Sequence, residues 1–280
     1  MSLLPGSAHT TASELAKLYA QHIKDKVVLV TGTSPGSIGS AFAHAIVCAQ
    51  PGQLIIAGRD PYKIKETMDS LTAKCATTRI RTLDLDLASF AAVHRAAKEV
   101  NGWNDVPHID VLVNNAGLMA TAWETSPDGY EIDLATNHLG PFLFTNLIMN
   151  KIIASPEPRV ITVSSSLHRL GPFRFDDYNF HVRTQHLPCS INVNNEAKTN
   201  RFVQEGESYN MWQAYGQSKT ANSLMAISLA EMLGAKHNLT SLTLHPGVVN
   251  SNLFAQVPLS AIQSMSMIHI YAMLIPIYIY

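Results

Sequence analysis

Apolar residues in this chain fall into two rhythms. Five short runs are rich in apolar and β-branched side chains: Lys26-Val-Val-Leu-Val-Thr31, Gln53-Leu-Ile-Ile-Ala57, Arg79-Ile-Arg-Thr-Leu-Asp84, Ile109-Asp-Val-Leu-Val113 and Arg159-Val-Ile-Thr-Val163. Runs of this length and composition predict strands, most of them buried on both faces. Other stretches carry apolar residues at helical spacing, which predicts helices over 41–47, 61–74, 88–100 and 211–233. Strands that alternate with helices imply an α/β fold, a doubly wound parallel sheet in a single domain. Residues 25–260 form that domain. Before it, Thr11-Ala-Ser-Glu14 has the form of a capping box, and Leu15, Leu18, Tyr19 and Ile23 follow at helical spacing. Residues 1–24 therefore read as a helical leader packed on the domain rather than a targeting signal. Residues 261–280 form an apolar tail.

Composition narrows the function. Hydrophobic residues make up 46% of the chain and the net charge is −1, so no basic excess points to nucleic acid or an anionic membrane. The three cysteines, Cys48, Cys75 and Cys189, are odd in number and form no Cys-x-x-Cys. That usage suits a reducing, cytoplasmic setting and argues against a disulfide framework or a zinc site. No His-Glu-x-x-His occurs either, so no metal is expected.

Two places carry candidate chemistry. The first strand breaks at Gly32-Thr-Ser-Pro-Gly36-Ser-Ile-Gly39 and a helix follows. Strand, glycine turn and helix is the context in which a dinucleotide pyrophosphate sits, because glycines admit the backbone and the helix N-terminus offers free N–H groups. An ordinary tight turn remains the alternative. At the end of the second strand an acidic residue would hold a ribose 2′-hydroxyl; here Gly58 is followed by Arg59, which can pair with a 2′-phosphate. This favours NADP over NAD, unless Arg59 is merely solvated at a strand end. Asn114-Asn115-Ala116-Gly117 follows the fourth strand and so faces the crevice where such sheets bind ligands. The second place is Tyr215-Gly-Gln-Ser-Lys219, a phenol and an ammonium one helical turn apart. A free phenol titrates near ~10, and a neighbouring cation is expected to lower that value, making a proton donor and acceptor for carbonyl chemistry.

Taken in order, Thr31-Gly32…Gly36…Gly39, Asn114–Gly117, Asn137-His-Leu-Gly140, Val163-Ser-Ser165, Tyr215…Lys219 and His245-Pro-Gly247 resemble the short-chain dehydrogenase/reductase family. The likeness runs from Lys26 to Leu253. Asn137–Thr145 and Tyr215–Asn222 look most like its retinol-dehydrogenase-like and WW-domain-oxidoreductase-like branch. Ser34-Pro35-Gly36 resembles the fungal members, many of which serve secondary metabolism. The resemblance implies a Rossmann fold and NADP(H) as cofactor. It implies that Tyr215 exchanges a proton with the substrate oxygen, Lys219 holds the nicotinamide ribose, Ser165 bonds the substrate oxygen, and Asn137 anchors a water leading to Lys219. By the same likeness Gly32, Ser34, Gly36, Ile38 and Gly39 would cradle the phosphates. Asp86 and Leu87 would border the adenine, and Asn114, Ala116 and Gly117 would line the adenosine side. Pro246, Gly247, Val248 and Ser251 would flank the nicotinamide. The substrate implied is a small carbonyl compound or secondary alcohol, apolar in keeping with the methionine-rich far end, and the protein could form a homo-oligomer.

The chain departs from the pattern in three places. Its glycine turn has one residue more than the common form, with Ser37 between Gly36 and Ile38. Residues 181–204 are polar, aperiodic and unlike the family; a surface lid and a retained intron are the two readings. After Lys236 no Asp, Glu, Lys or Arg follows, and the family's last sheet strand is expected to be missing. A truncated end, an apolar substrate wall or dimer face, and a membrane anchor all fit that tail, the anchor least because Gln263, His269 and Pro276 interrupt it. These departures leave a second functional reading open, a catalytically impaired or regulatory NADP-binding relative.

Overall fold

β1, Val27–Thr31, is buried along its whole length, as a central parallel strand covered on both faces should be. In the computed structural model, which describes residues 10–181, 209–247, 249, 251–253 and 257, it lies at the middle of a parallel sheet. The other strands are β2 (Gln53–Gly58), β3 (Ile80–Asp84), β4 (Val111–Asn114), β5 (Arg159–Val163) and β6 (Thr240–Leu244). Among the described residues the sheet has six strands in the order β3-β2-β1-β4-β5-β6, every pairing parallel. The chain runs outward from β1 to β3, returns to β4 on the other side of β1, and runs outward again. That reversal opens a crevice beyond the C-terminal ends of β1 and β4.

The helices, in chain order, are α1 (Ala12–Leu18), α2 (Ala20–Ile23), α3 (Ile38–Ile46), α4 (Pro61–Lys74), α5 (Phe90–Gly102), α6 (Ile132–Leu134), α7 (Gly140–Leu147), α8 (Met149–Ile153) and α9 (Met211–His237). They divide the core in two. On one face α3 and α4 bring Ala43, Ile46, Ile64 and Leu71 onto Val28, Val30, Leu54 and Ile56. On the other, α5, α7 and α9 bring Val93, Val100, Phe144 and Met225 onto Leu29, Ile55, Leu112 and Val160. Successive strand residues point to opposite faces, so Val28 and Leu29 serve different cores.

The expected leader forms with its capping box intact: Glu14 N donates to Thr11 Oγ1 at 3.2 Å and Thr11 N to Glu14 Oε2 at 2.7 Å. Its buried face differs from the one predicted. The helix breaks at Tyr19, α1 rests on α3, and the residue it buries is Ala16, while Leu15 and Leu18 are exposed. The anticipated stripe spans that break and never forms one face. β6 was not anticipated from the sequence; it is short and largely exposed at the sheet edge. The 181–204 segment from residue 182 onward, Val248, and the whole 261–280 tail lie outside the described residues. No helix among the described residues is long and apolar enough to cross a membrane.

Candidate active site

The crevice floor is tied together before any ligand is considered. Thr31, the last residue of β1, accepts hydrogen bonds at Oγ1 from Asn115 N and Ala116 N, both at 3.1 Å. Asn115 Nδ2 answers by donating to Thr31 O at 2.8 Å and Gly32 O at 3.2 Å. The turn after β1 is thereby held against the turn after β4. Gly32 has φ +73°, and a Cβ there would lie 2.6 Å from Ala116 Cα; both the backbone angle and the space demand glycine. Ser37, the extra residue of the turn, caps α3: its Oγ accepts from Ser40 N at 3.1 Å and donates to Gly32 O at 2.9 Å. The departure from the family pattern thus serves the helix start without filling the cradle. Across the crevice, Asn252 Nδ2 donates to Pro35 O at 2.6 Å.

The cleft that opens above this turn is lined by Gly32, Ser34 and Ile38, by Arg59, by Asp86 and Leu87, by Ala116 and Gly117, by Tyr215 and Lys219, and by Pro246 and Ser251. Gly36 belongs to the turn itself and packs on Asn252, while Gly39 lies in the first turn of α3. Gly247 lines a smaller pocket that adjoins the cleft and shares Tyr215 with it. Asn114 does not line the cleft. Its side chain is buried at the end of β4 and donates to Thr145 Oγ1 at 3.0 Å, and the neighbouring Asn115 reaches the cleft instead. Lys63 and Asn252, which no sequence motif singles out, also line the cleft, as do Ser37 of the glycine turn and Asn115 of the turn after β4.

Arg59 and Lys63 stand together on the cleft wall. Asp60, between them, turns its carboxylate onto the start of α4, where Oδ1 accepts from Tyr62 N at 3.0 Å and Lys63 N at 3.2 Å. Its other oxygen is 4.0 Å from Lys63 Nζ. Among the described residues no carboxylate pairs with Arg59. A glycine cradle that a Cβ would fill and a capped helix start together fit the pyrophosphate of a dinucleotide.

At the far end of the cleft α9 presents Tyr215 and Lys219, both buried. Lys219 Nζ donates to Val163 O at 3.1 Å and stands 5.6 Å from the centre of the Tyr215 ring. Ser165, just past β5, accepts at Oγ from Leu167 N at 3.2 Å and lines the smaller pocket together with Tyr215. Asn137 lies in a π-helical stretch, Ala135–Leu139, an irregularity often found at functional sites. Its Oδ1 accepts from Leu118 N at 2.7 Å, and its Nδ2 donates to Ser218 Oγ at 2.9 Å. Gly117 gives the room these groups need, since a Cβ there would come within 3.0 Å of Asn137 Oδ1 and 3.4 Å of Lys219 Nζ. The structure therefore gathers Ser165, Tyr215, Lys219 and Asn137 around one end of the cleft.

The electrostatics differ from the expectation that the ammonium lowers the phenol's pKa. Burial dominates and pushes Tyr215 above the ordinary phenol value; the Ser165 hydrogen bond opposes it and the charge of Asp133 adds to it. Burial likewise brings Lys219 down to about 8, against the upward pull of Asp133. Asp133 is wholly buried beside Glu131, accepting from Thr121 Oγ1 at 3.0 Å and Ala120 N at 3.2 Å. Burial, and then the neighbouring Glu131 charge, raise its carboxyl to about 7. Glu131 also accepts from the Tyr209 hydroxyl at 3.0 Å.

Comparison with known proteins places the chain in a family. Residues 26–179 match the short chain dehydrogenase family. The oxidoreductase fscI of Fusarium equiseti is 35% identical over 243 residues, 85% of this chain and 93% of that protein. Human retinol dehydrogenase 13 is 31% identical over 262 residues, 90% of this chain and 70% of its own length. The crystal structure of an uncharacterized protein from Mycobacterium paratuberculosis superposes with a TM-score of 0.63 at 30% identity, over 84% of this chain and 74% of that one. A metagenomic short-chain oxidoreductase crystallised in complex with NADP shares the fold, with a TM-score of 0.56 at 23% identity over 81% and 84% of the two chains. The chain belongs to the short-chain dehydrogenase/reductase family, among its retinol-dehydrogenase-like oxidoreductases.

Proposed function

We propose that the protein is an NADP(H)-dependent oxidoreductase acting on a small apolar carbonyl compound or the corresponding secondary alcohol. The observation that carries this reading is the position of Tyr215. Its phenol stands where the long cleft of the glycine turn meets the smaller pocket lined by Met119, Ser165, Leu167 and Val249. A substrate carbonyl in the small pocket would face a nicotinamide in the cleft with that hydroxyl between them.

A bound nicotinamide supplies hydride transfer to or from the substrate carbon. The chain supplies position and the proton. The turn from Gly32 to Gly39 and the start of α3 would hold the pyrophosphate, and Lys219 would hold the ribose. Support for NADP over NAD comes from Arg59, unpaired among the described residues, with Lys63 beside it. Tyr215, with its proton bound firmly at neutral pH, donates to the oxygen as negative charge develops there; in the reverse direction it takes the proton back. Ser165 acts as a fixed donor to the same oxygen. Lys219 beside the phenol offsets the phenolate left by the transfer. The turn Ser34-Pro35-Gly36, which resembles fungal members of the family, many of which serve secondary metabolism, supports a role of that kind.

Removing the Tyr215 hydroxyl leaves the ring, its packing and the cofactor cleft in place. Tyr215→Phe is expected to lower turnover about 10²–10⁴-fold, the usual contribution of a positioned acid–base group, while binding NADPH as tightly as the parent. A carbonyl panel followed by NADPH oxidation, with fluorescence titration of NADPH, reads both quantities. Undiminished turnover would remove Tyr215 from the chemistry.

A further inference from the structure

Cys48 and Cys75 are far apart in the sequence, and nothing in their spacing connects them. The fold laces them together at the ends of α3 and α4, away from the cleft. Cys48 lies in the single turn Val47–Ala49 that extends α3, and Cys75 is the residue that ends α4. Cys48 Sγ donates to the carbonyl of Lys74, the residue directly before Cys75, at 3.8 Å. The Thr78 hydroxyl makes the reciprocal tie: it donates to the carbonyl of Val47, directly before Cys48, at 2.7 Å, and lies 3.7 Å from Cys75 Sγ. Lys74 Nζ donates to His44 O at 2.6 Å, and His44 Nε2 is 3.0 Å from Ser70 Oγ. Two helix ends are thus fixed so that each cysteine lies against the chain next to the other: Cys48 Sγ reaches the residue before Cys75, and the Thr78 hydroxyl joins Cys75 Sγ to the residue before Cys48. Cys48 is exposed and Cys75 half-buried, so a small oxidant can reach the pair.

We propose that Cys48 and Cys75 form a site of reversible oxidation, closing to an intramolecular disulfide by exchange with a small disulfide such as glutathione disulfide. Hydrogen bonds from Thr77 and then Thr78 draw the Cys75 thiol below its ordinary value, while desolvation pushes Cys48 up. Cys75 is therefore the attacking group. Its thiolate attacks one sulfur of glutathione disulfide, forms a mixed disulfide and expels one glutathione thiolate, which takes up a proton. The Cys48 thiol then gives its proton to solvent, attacks the Cys75 sulfur and expels the second glutathione. Glutathione disulfide gains two electrons and ends as two glutathione molecules; the protein loses two electrons and two protons. The ring so closed contains β2, Arg59 and all of α4.

The full-length reduced protein is incubated with glutathione disulfide and mapped by peptide mass spectrometry. The expected product is a Cys48–Cys75 cross-linked peptide carrying no glutathione and reversed by dithiothreitol. Cys48→Ser is expected to stop at the first step and retain glutathione on Cys75, and Cys189→Ser to leave the cross-link unchanged. Circular dichroism establishes that each variant is folded. Glutathione retained on Cys75 in the parent protein, a bond through Cys189, or unreacted thiols where the urea-unfolded chain reacts would each overturn the proposal.

Discussion

Asp133 is the residue at which stability and chemistry meet. Its carboxyl moves from an ordinary 3.8 to about 7 on folding, chiefly because it is buried. Between those values the folded protein holds a proton that the unfolded chain has lost. Stability therefore falls as pH rises from about 4 to about 7 and then levels. Asp133→Asn keeps the shape and can still bond Thr121 and Ala120, yet has no proton to lose. The stability difference, variant minus parent, is expected to grow across that interval; urea unfolding at pH 5 and pH 8 measures it, and equal differences at both would contradict the burial argument. The same substitution removes the charge that holds Lys219 up. If the ammonium supports turnover, the alkaline limb of the pH–rate profile should move to lower pH in the variant. A merely structural Asp133 would lower activity without moving that limb.

Among the elements, α3 shows how a local departure becomes a working part. Ser37 looked like a surplus residue in the glycine turn, but it caps the helix and ties it to Gly32 O. Ser37→Ala is expected to cost about 0.5–2 kcal/mol, the usual loss at an N-cap, and to weaken NADPH binding because the start of α3 frays at the phosphate end. Chemical denaturation and cofactor titration check the two parts; a loss of neither would leave Ser37 as filler. β1, β2 and β4 were legible as apolar runs because parallel strands buried on both faces need little else, and the more exposed β3 and β5 were legible from their β-branched residues. The glycine turn, Arg59, Ser165 and the Tyr215–Lys219 pair were legible because they lie within or just beyond such elements. β6 was not, since an exposed edge strand lacks an apolar run. The buried face of α1 was misread because the helix breaks at Tyr19. Asn115 rather than Asn114 reaches the cleft, a question of side-chain direction that adjacency cannot answer. Glu131–Asp133 and Cys48–Cys75 owe their properties to packing, which leaves no local signature.

At the scale of the whole molecule, the cleft is assembled from both halves of the sheet. Arg59 and Asp86 follow β2 and β3 on one side, Gly117 and Lys219 lie on the β4–β5 side, and Thr31 with Asn115 locks the seam between them. A dinucleotide spanning that cleft binds only the folded arrangement, so it stabilises the entire molecule by mass action. At one hundred times its Kd the gain is about 2.7 kcal/mol. This turns cofactor choice into a stability measurement that needs no substrate. NADPH and NADH differ by the 2′-phosphate alone, and on the proposed function the group that would meet it is the Arg59 guanidinium, which has no carboxylate partner among the described residues. A charge-assisted contact of this kind contributes about 1.5–3 kcal/mol, roughly tenfold or more in affinity. In a thermal unfolding series NADPH should therefore raise the transition of the parent protein at concentrations where NADH has little effect. Arg59→Ala should shift the NADPH curve to about tenfold higher concentration and leave the NADH curve in place. Equal protection of the parent by both cofactors, or an NADPH advantage that survives the substitution, would mean that specificity is set elsewhere along the cleft, with Lys63 the neighbouring cation to test next.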